Sequence, residues 1–333
     1  MSGLKLTFAN VGYGEAILVQ AEDPSCRGGQ FTMLIDGGSG EEEEFAGSTS
    51  GRMPFIEFLR RHNVEHVDLL VNTHIHEDHT CGLLPVAEAF DLQQFWQTLP
   101  AEYYRSMREL DAAGADTPSG RKFLQAINDY RKICGTAADK GCRIVQMTAS
   151  EEPFTLAPGL TLRVLAPSEK KAAYLLELLE DIRKAEDAEE LTAVRNRADA
   201  AMNNLSLILL LEYGGRRILL PGDTNRDGYG EIGADLQADI FKVGHHGQKD
   251  GVSRDLFRRI RPSHVICCAS SDRRYESAAP QILQMMREEG AALYFSDCPD
   301  VPPWTDGVKP HHALTFTVSP EGDIAAAYDG PLS

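Results

Sequence analysis

Val67-Asp68-Leu69-Leu70-Val71-Asn72-Thr73-His74-Ile75-His76-Glu77-Asp78-His79 decides the reading of this chain. Its first five residues read as a buried strand. The strand runs directly into four side chains of metal-ligand type. Alternate residues leaving a strand share a face, so His74 and His76 point to one side. Asp78 and His79 then turn toward a second position nearby. Imidazole and carboxylate suit zinc, iron or manganese. A single histidine on an apolar segment is ordinarily a packed core residue. Four such groups within six residues, at the end of a strand, read as a metal cluster.

Two distant segments repeat the arrangement. Arg217–Leu220 leads into Pro221-Gly222-Asp223, and Ile240–Val243 into Gly244-His245-His246-Gly247. Glycine allows a sharp turn at the strand end, which brings each candidate ligand to a shared edge. Asp223 is the expected bridging carboxylate. Of the histidine pair, His245 is read as the ligand, and His246 as facing substrate or supporting a ligand. The expected metal ligands are therefore His74, His76, Asp78, His79, Asp223 and His245.

Strands are expected at Leu4–Phe8, Ala16–Gln20, Thr32–Ile35, Leu205–Glu212, His264–Cys268, Ala292–Phe295 and Ala313–Val318, with helices at Met53–Arg61 and Ala279–Glu289. Strand and helix segments alternate in both halves. An α/β fold with two sheets packed between outer helices fits this, with loops of both sheets meeting at one edge. From about residue 91 to 203 the texture changes. Tyr103–Ala113, Ser119–Cys134 and Ala172–Arg197 read as charged helices, with short strands at Phe154–Leu156 and Leu160–Leu165. We expect one domain over 1–333 with a mainly helical insertion at about 91–203, the last helix forming a protruding hairpin or lid.

Composition narrows the function classes. Apolar residues make up 42% of the chain, enough for a sizeable core, yet no uncharged apolar run is long enough for a membrane span. The start, Met1 to Phe8, reads as a strand and not as a signal peptide. The seven cysteines are odd in number and include no Cys-x-x-Cys pair, which favours reduced thiols and a cytoplasmic location. A formal charge of −17 disfavours a grip on long nucleic acid. Two divalent cations would restore positive charge locally, where a phosphate would sit.

The pattern His74-x-His76-x-Asp78-His79, with Gly222-Asp223 and Gly244-His245-His246-Gly247, resembles the metallo-β-lactamase superfamily. Within it the chain is similar to the ComEC-like branch. That likeness is carried by Asn10-Val11-Gly12-Tyr13-Gly14-Glu15-Ala16, Leu34-Ile35-Asp36-Gly37-Gly38, Asn204-Leu205-Ser206-Leu207, Gly214-Gly215-Arg216 and Lys242-Val243-Gly244-His245-His246-Gly247. It covers roughly residues 4–90 and 203–318. The resemblance implies an αββα metallo-β-lactamase sandwich with two divalent metal ions, zinc first, with manganese or iron as alternatives. One departure stands out. Many members place a further histidine between the cluster and Gly-Asp, but here no histidine occurs from residue 80 to 244. Asn203 or Asn204 falls in that region as a weak ligand, and Asp36 is a further weak or supporting candidate. His74 and His76 are thus expected to form the poorer half of the centre.

The resemblance further implies metal-assisted hydrolysis, with Asp78 orienting the water or accepting its proton and His246 contacting a phosphate or protonating the leaving group. Relatives in the ComEC-like branch act on phosphodiesters, and the acidic charge favours a small or short phosphodiester as substrate. Hydrolysis of a lactam, lactone or thioester is the alternative chemistry. A non-catalytic, metal-stabilised binding module is the alternative class. Among other residues, Cys81 and His311-His312 read as packed or strand-edge residues. Arg105, Arg108, Lys122 and Arg131 read as solvated helix faces. Arg273 and Tyr275 sit in a loop where ligand contacts are common.

Overall fold

The computed structural model describes residues 3–330. In chain order the regular elements are β1 (Leu4–Ala9), β2 (Ile17–Glu22), β3 (Gln30–Ile35), α1 (Phe55–Arg61), β4 (Val67–Val71), α2 (Glu77–Thr80), α3 (Leu83–Ala89) and β5 (Leu92–Gln97). There follow α4 (Pro118–Asp139), β6 (Arg143–Gln146), β7 (Phe154–Ala157), β8 (Leu160–Ala166), α5 (Glu169–Lys184), α6 (Ala188–Met202), β9 (Ile208–Tyr213) and β10 (Arg216–Leu220). The last are β11 (Ile240–Lys242), α7 (Arg254–Ile260), β12 (His264–Cys267), α8 (Pro280–Glu288), β13 (Ala292–Phe295), β14 (Ala313–Val318) and β15 (Ile324–Asp329).

Two mixed sheets form, in the orders β15-β14-β1-β2-β3-β4-β5-β6 and β13-β12-β11-β10-β9-β8-β7. Alternation along the strands sets the four layers, because successive side chains leave opposite faces. In β9, Leu209 and Leu211 meet Met33, Ile35, Leu69 and Val71 of the other sheet in the central core. Their neighbours Ile208 and Leu210 face outward onto Leu256 and Phe257 of α7 and Leu283 and Met286 of α8. On the opposite side Leu34, Leu70 and Phe95 pack beneath α1, α3, α4 and α5. This is the αββα sandwich that the sequence led us to expect.

The stretch 91–203 is not one inserted body. β5 pairs parallel to β4 and β6 parallel to β5, extending the first sheet, and β8 pairs antiparallel to β9 and β7 antiparallel to β8, extending the second. The helices of this stretch are α4 and the α5–α6 hairpin. Tyr103–Ala113 forms a single tight turn at Tyr103–Ser106 followed by loop. Its Leu110 backbone is held by the Asn128 side chain instead of by helical neighbours, at 2.8 Å for both the N–H and the C=O. The long helix expected at Ala172–Arg197 is two helices, because the Asp187 carboxylate accepts the Glu190 N–H at 2.8 Å and starts a new one. No helix among the described residues is long and apolar enough to cross a membrane.

The topology explains where the site lies. β3 and β4 pair in parallel, as do β10 and β11. The turns after these four strands converge on one edge of the sandwich.

Candidate metal centre

Each imidazole in this edge has one nitrogen tied down. Asp36, at the end of β3, anchors the arrangement. Its Oδ1 accepts from the Thr73 backbone N–H at 2.8 Å and from Asn72 Nδ2 at 3.1 Å. Its Oδ2 accepts from Thr73 Oγ1 at 2.6 Å and from His79 Nδ1 at 2.7 Å. His79 therefore carries its proton on Nδ1 and presents the Nε2 lone pair inward. That buried Nε2 has no hydrogen-bond partner. Since the Thr73 hydroxyl donates to Asp36, it has only lone pairs left for His74 Nδ1 at 3.0 Å. His74 Nδ1 donates, and His74 Nε2 is the free lone pair.

His74 Nε2 faces His76 Nδ1 at 3.1 Å. Two imidazole nitrogens on a tetrahedral zinc lie roughly 3.3 Å apart, given Zn–N bonds of about 2.0–2.1 Å. Burial, together with the neighbouring His79 and His76, holds His74 well below the usual histidine range, so the ring stays neutral as a ligand must be.

The second group is Asp78, His79, Asp223 and His246, whose ligand atoms all lie within 4.8 Å of one another. His246 Nδ1 donates to the Cys268 carbonyl at 2.6 Å. Its Nε2 stands 3.0 Å from Asp78 Oδ2 and 2.9 Å from Asp223 Oδ2. His79 Nε2 lies 3.7 Å from Asp78 Oδ2 and 3.4 Å from Asp223 Oδ2. Nitrogen and carboxylate lone pairs converge here, and only a positive charge reconciles them. Burial opposes charge on His246, but the Asp223 and Asp78 carboxylates outweigh it and push the ring up to about 9. Asp223 Oδ1 is engaged by Lys242 Nζ at 2.9 Å, and the same buried ammonium pairs with Glu15. The donor set of Asp78, His79, Asp223 and His246 thus fits a divalent cation, and His74 Nε2 and His76 Nδ1 set a further pair of nitrogens beside it.

This exchanges the expected roles of the histidine pair. His246 stands with the ligands, whereas His245 turns its Nδ1 to Asp250 Oδ1 at 2.8 Å and lines the cleft. The physical reason is the backbone. Both residues adopt positive φ, 47° and 50°, which swings the first ring outward and drives the second under Tyr13, 4.4 Å between ring centroids. The preceding Gly244 has no room for a Cβ, which would meet the Thr224 carbonyl at 2.0 Å. Gly222, before Asp223, has a φ of +54°, the turn anticipated from the sequence.

Asn203 lines the cleft with its buried Oδ1 unpartnered, while Asn204 Oδ1 accepts from the Asn225 backbone N–H at 3.3 Å and serves the turn. Lys122 and Tyr275 line the cleft, but Arg273 does not; Arg274 takes its place and is paired with Glu44. Arg108 donates to the Ala185 carbonyl, and Arg105 and Arg131 pair with Glu102 and Glu109. Cys81 is packed in the core, and all seven cysteines are free. His311 is bound to the Ser296 carbonyl at 3.0 Å, away from the site.

Three participants escaped the sequence reading. Lys242 is a fully buried lysine in the otherwise apolar β11, a signal that was legible. Tyr13 caps His246, and its hydroxyl accepts from Gln248 Nε2 at 3.2 Å. Asp199 reaches His76 Nε2 at 3.0 Å from α6. The cleft above the centre has a volume of about 530 Å³.

The family model of the metallo-beta-lactamase superfamily matches residues 10–118, about a third of the chain, including the whole His74–His79 turn. ComE operon protein 3 of Bacillus subtilis is 31% identical over 101 residues. That match spans 29% of this chain and 13% of the length of that relative. Among solved structures, Tm1679, a metal-dependent hydrolase of the beta-lactamase superfamily, aligns over 98% of this chain and 100% of its own, with 12% identity and a TM-score of 0.45. A diphosphatase of the PhnP family aligns over 79% and 85%, with 11% identity and a TM-score of 0.38. Zinc-bound PqqB from Methylobacterium extorquens aligns over 74% and 67%, with 14% identity and a TM-score of 0.33.

Proposed function

We propose that this protein is a cytoplasmic, metal-dependent hydrolase that cleaves a small or short phosphodiester. The observation that carries the metal-dependent part is the convergence of the His79 and His246 lone pairs on Asp78 and Asp223, beside the facing pair His74 and His76, each of the four rings fixed by a partner on its other nitrogen. The phosphodiester is supported by the sequence likeness to the ComEC-like branch and by the cleft lining, which sets Lys122, Arg274 and His245 in the same cleft as Asp78 and Asp223.

When bound, divalent cations would supply Lewis acidity and charge for the developing oxyanion in that cleft. The chain's own groups do the rest. Asp78 orients the attacking water and accepts its proton. Burial and the neighbouring Asp78 and Asp223 hold the Tyr13 hydroxyl well above its usual range, so it stays protonated and can donate to a phosphoryl oxygen. His245, backed by Asp250, delivers a proton to the leaving oxygen, the role that the sequence reading gave to His246. Tyr275 and Tyr13, 5.1 Å apart, offer an aromatic wall.

The test is a panel of bis-p-nitrophenyl phosphate, nucleotides and oligonucleotides, run beside nitrocefin, an acyl lactone and a thioester, with zinc and with manganese. Metal-dependent turnover of a phosphodiester above all other classes is expected. Faster turnover of nitrocefin or the lactone would replace the substrate class. No turnover of any substrate by the metal-loaded protein would leave a binding module.

A further inference from the structure

We propose that Asp199, on a helix outside the two-sheet core, is the positioning residue that prepares His76 to hold a cation. The inference rests on the metal-centre reading above and extends it to the half of the centre that the sequence left without a third partner.

The argument starts from the ring. Asp199 Oδ1 lies 3.0 Å from His76 Nε2, and a carboxylate accepts, so the N–H sits on Nε2. The lone pair is then on Nδ1, the atom that faces His74 Nε2 at 3.1 Å. With the other tautomer His76 would point an N–H at the His74 lone pair and close the site. A carboxylate behind a ligating histidine fixes both tautomer and ring orientation, and its loss typically weakens metal binding about 10–100-fold. Asp36 does this for His79, from within the core. Asp199 does it for His76, from α6. Asp199 touches the far nitrogen, so its part is orientation and not ligation.

The helix is built for that task. Asn196, Asp199, Ala200 and Asn203 recur at the spacing that places them on one face, and all four line the cleft. Ala200 keeps that face low beside the carboxylate. Arg195, almost fully buried, donates to Asp116 Oδ1 at 2.7 Å and holds α6 against the start of α4. Gly120 of α4 leaves the space for it, since a Cβ there would meet the guanidinium at 2.3 Å. From α4 itself, Phe123 packs edge-on to the His76 ring, 5.6 Å between centroids at 68°. Two helices of the 91–203 stretch thus hold one histidine, α4 by packing and α6 by a hydrogen bond. They are part of the centre and not only a cover over it.

The experiment compares metal binding by the wild-type chain, Asp199→Ala and Asp199→Asn. Each is stripped of metal, titrated with zinc against a chromophoric chelator, and loaded with cobalt for its visible spectrum. The wild type is expected to bind two ions. Asp199→Ala should keep one at wild-type affinity and hold the other about 10–100-fold more weakly, with the cobalt bands of that ion alone altered. Asp199→Asn keeps an acceptor oxygen and should recover most of the loss. Because Asp199 is a third exposed, the metal-free variants should melt with the wild type. Two ions bound by Asp199→Ala at wild-type affinity, or equal weakening of both, would overturn the role of Asp199 and leave the centre standing. A wild-type chain that binds fewer than two ions would overturn the dinuclear reading together with it.

Discussion

The two halves of the centre are built from different parts of the molecule. The half formed by Asp78, His79, Asp223 and His246 is drawn from turns after β4, β10 and β11, with Asp36 after β3 behind it. His79 and His246 are fully buried, and their supports are backbone or core groups. The His74–His76 half has two imidazoles and no carboxylate between them. Its outer ring, His76, is partly exposed and leans on Phe123 of α4 and Asp199 of α6. One half is thus a consequence of the sandwich itself. The other depends on side chains that α4 and α6 bring to it.

The strongest way to break the comparison is His79→Ala. His79 lies between the halves, its ring 4.2 Å from His74 and 5.4 Å from His246. Losing it removes a ligand and uncouples Asp36. We expect metal-dependent activity to fall by at least about 10³-fold, since members of a catalytic unit fail together. Full activity with two ions still bound, by kinetics and elemental analysis, would refute the assignment.

Lys242→Met tests the core-built half from behind. It strips the buried counter-charge from Asp223 and Glu15, which leaves Glu15 without an ion-pair partner at a cost of about 3–5 kcal/mol, while Asp223 keeps His246. Urea denaturation of the metal-free protein should show this as a lower midpoint at unchanged slope. A loss under about 1 kcal/mol would mean that Glu15 is neutralised by protonation instead.

Metal affinity should rise with pH in the same half. His246 is held up to about 9, so at neutral pH a proton occupies the nitrogen a cation needs. The cation binds the deprotonated ring, and each unit of falling pH below that value should weaken binding up to about tenfold. Chelator competition across neutral pH would show the slope, and a flat profile would contradict it.

The smallest effect should come from the α5–α6 hairpin away from His76. Arg197→Ala breaks an exposed pair with Asp181, two residues before Asp199 and on another face of α6. Thermal melts should shift by less than about 1 kcal/mol, and both ions should bind as in the wild type. If this variant instead resembled Asp199→Ala, the α5–α6 hairpin as a whole would be the support, and not one carboxylate.

Much of this was legible in the sequence because it is local. Apolar strands ending in Asp36, Asn72-Thr73-His74, Gly222-Asp223 and Gly244-His245-His246 announce their own turns, since strand period and glycine act over a few residues. The αββα layering followed from the alternation of those strands with helices. Charge and cysteine count bounded the function classes without any structure.

Tertiary structure decided the rest. Which of His245 and His246 turns inward depends on two consecutive positive φ angles and on the Cys268 carbonyl, contributed by a different strand. The strands at Phe154–Leu156 and Leu160–Leu165 were legible as β7 and β8, but that β5 and β6 continue the first sheet, and β8 joins the second, rests on pairing with β4 and β9. Lys242 becomes a counter-ion only because β11 runs between Glu15 and Asp223. Asp199 lies 123 positions from His76 in the sequence, on a helix whose face is set by Arg195 and Asp116. A hydrogen bond of that kind has no spacing rule, because it forms only once both elements have packed.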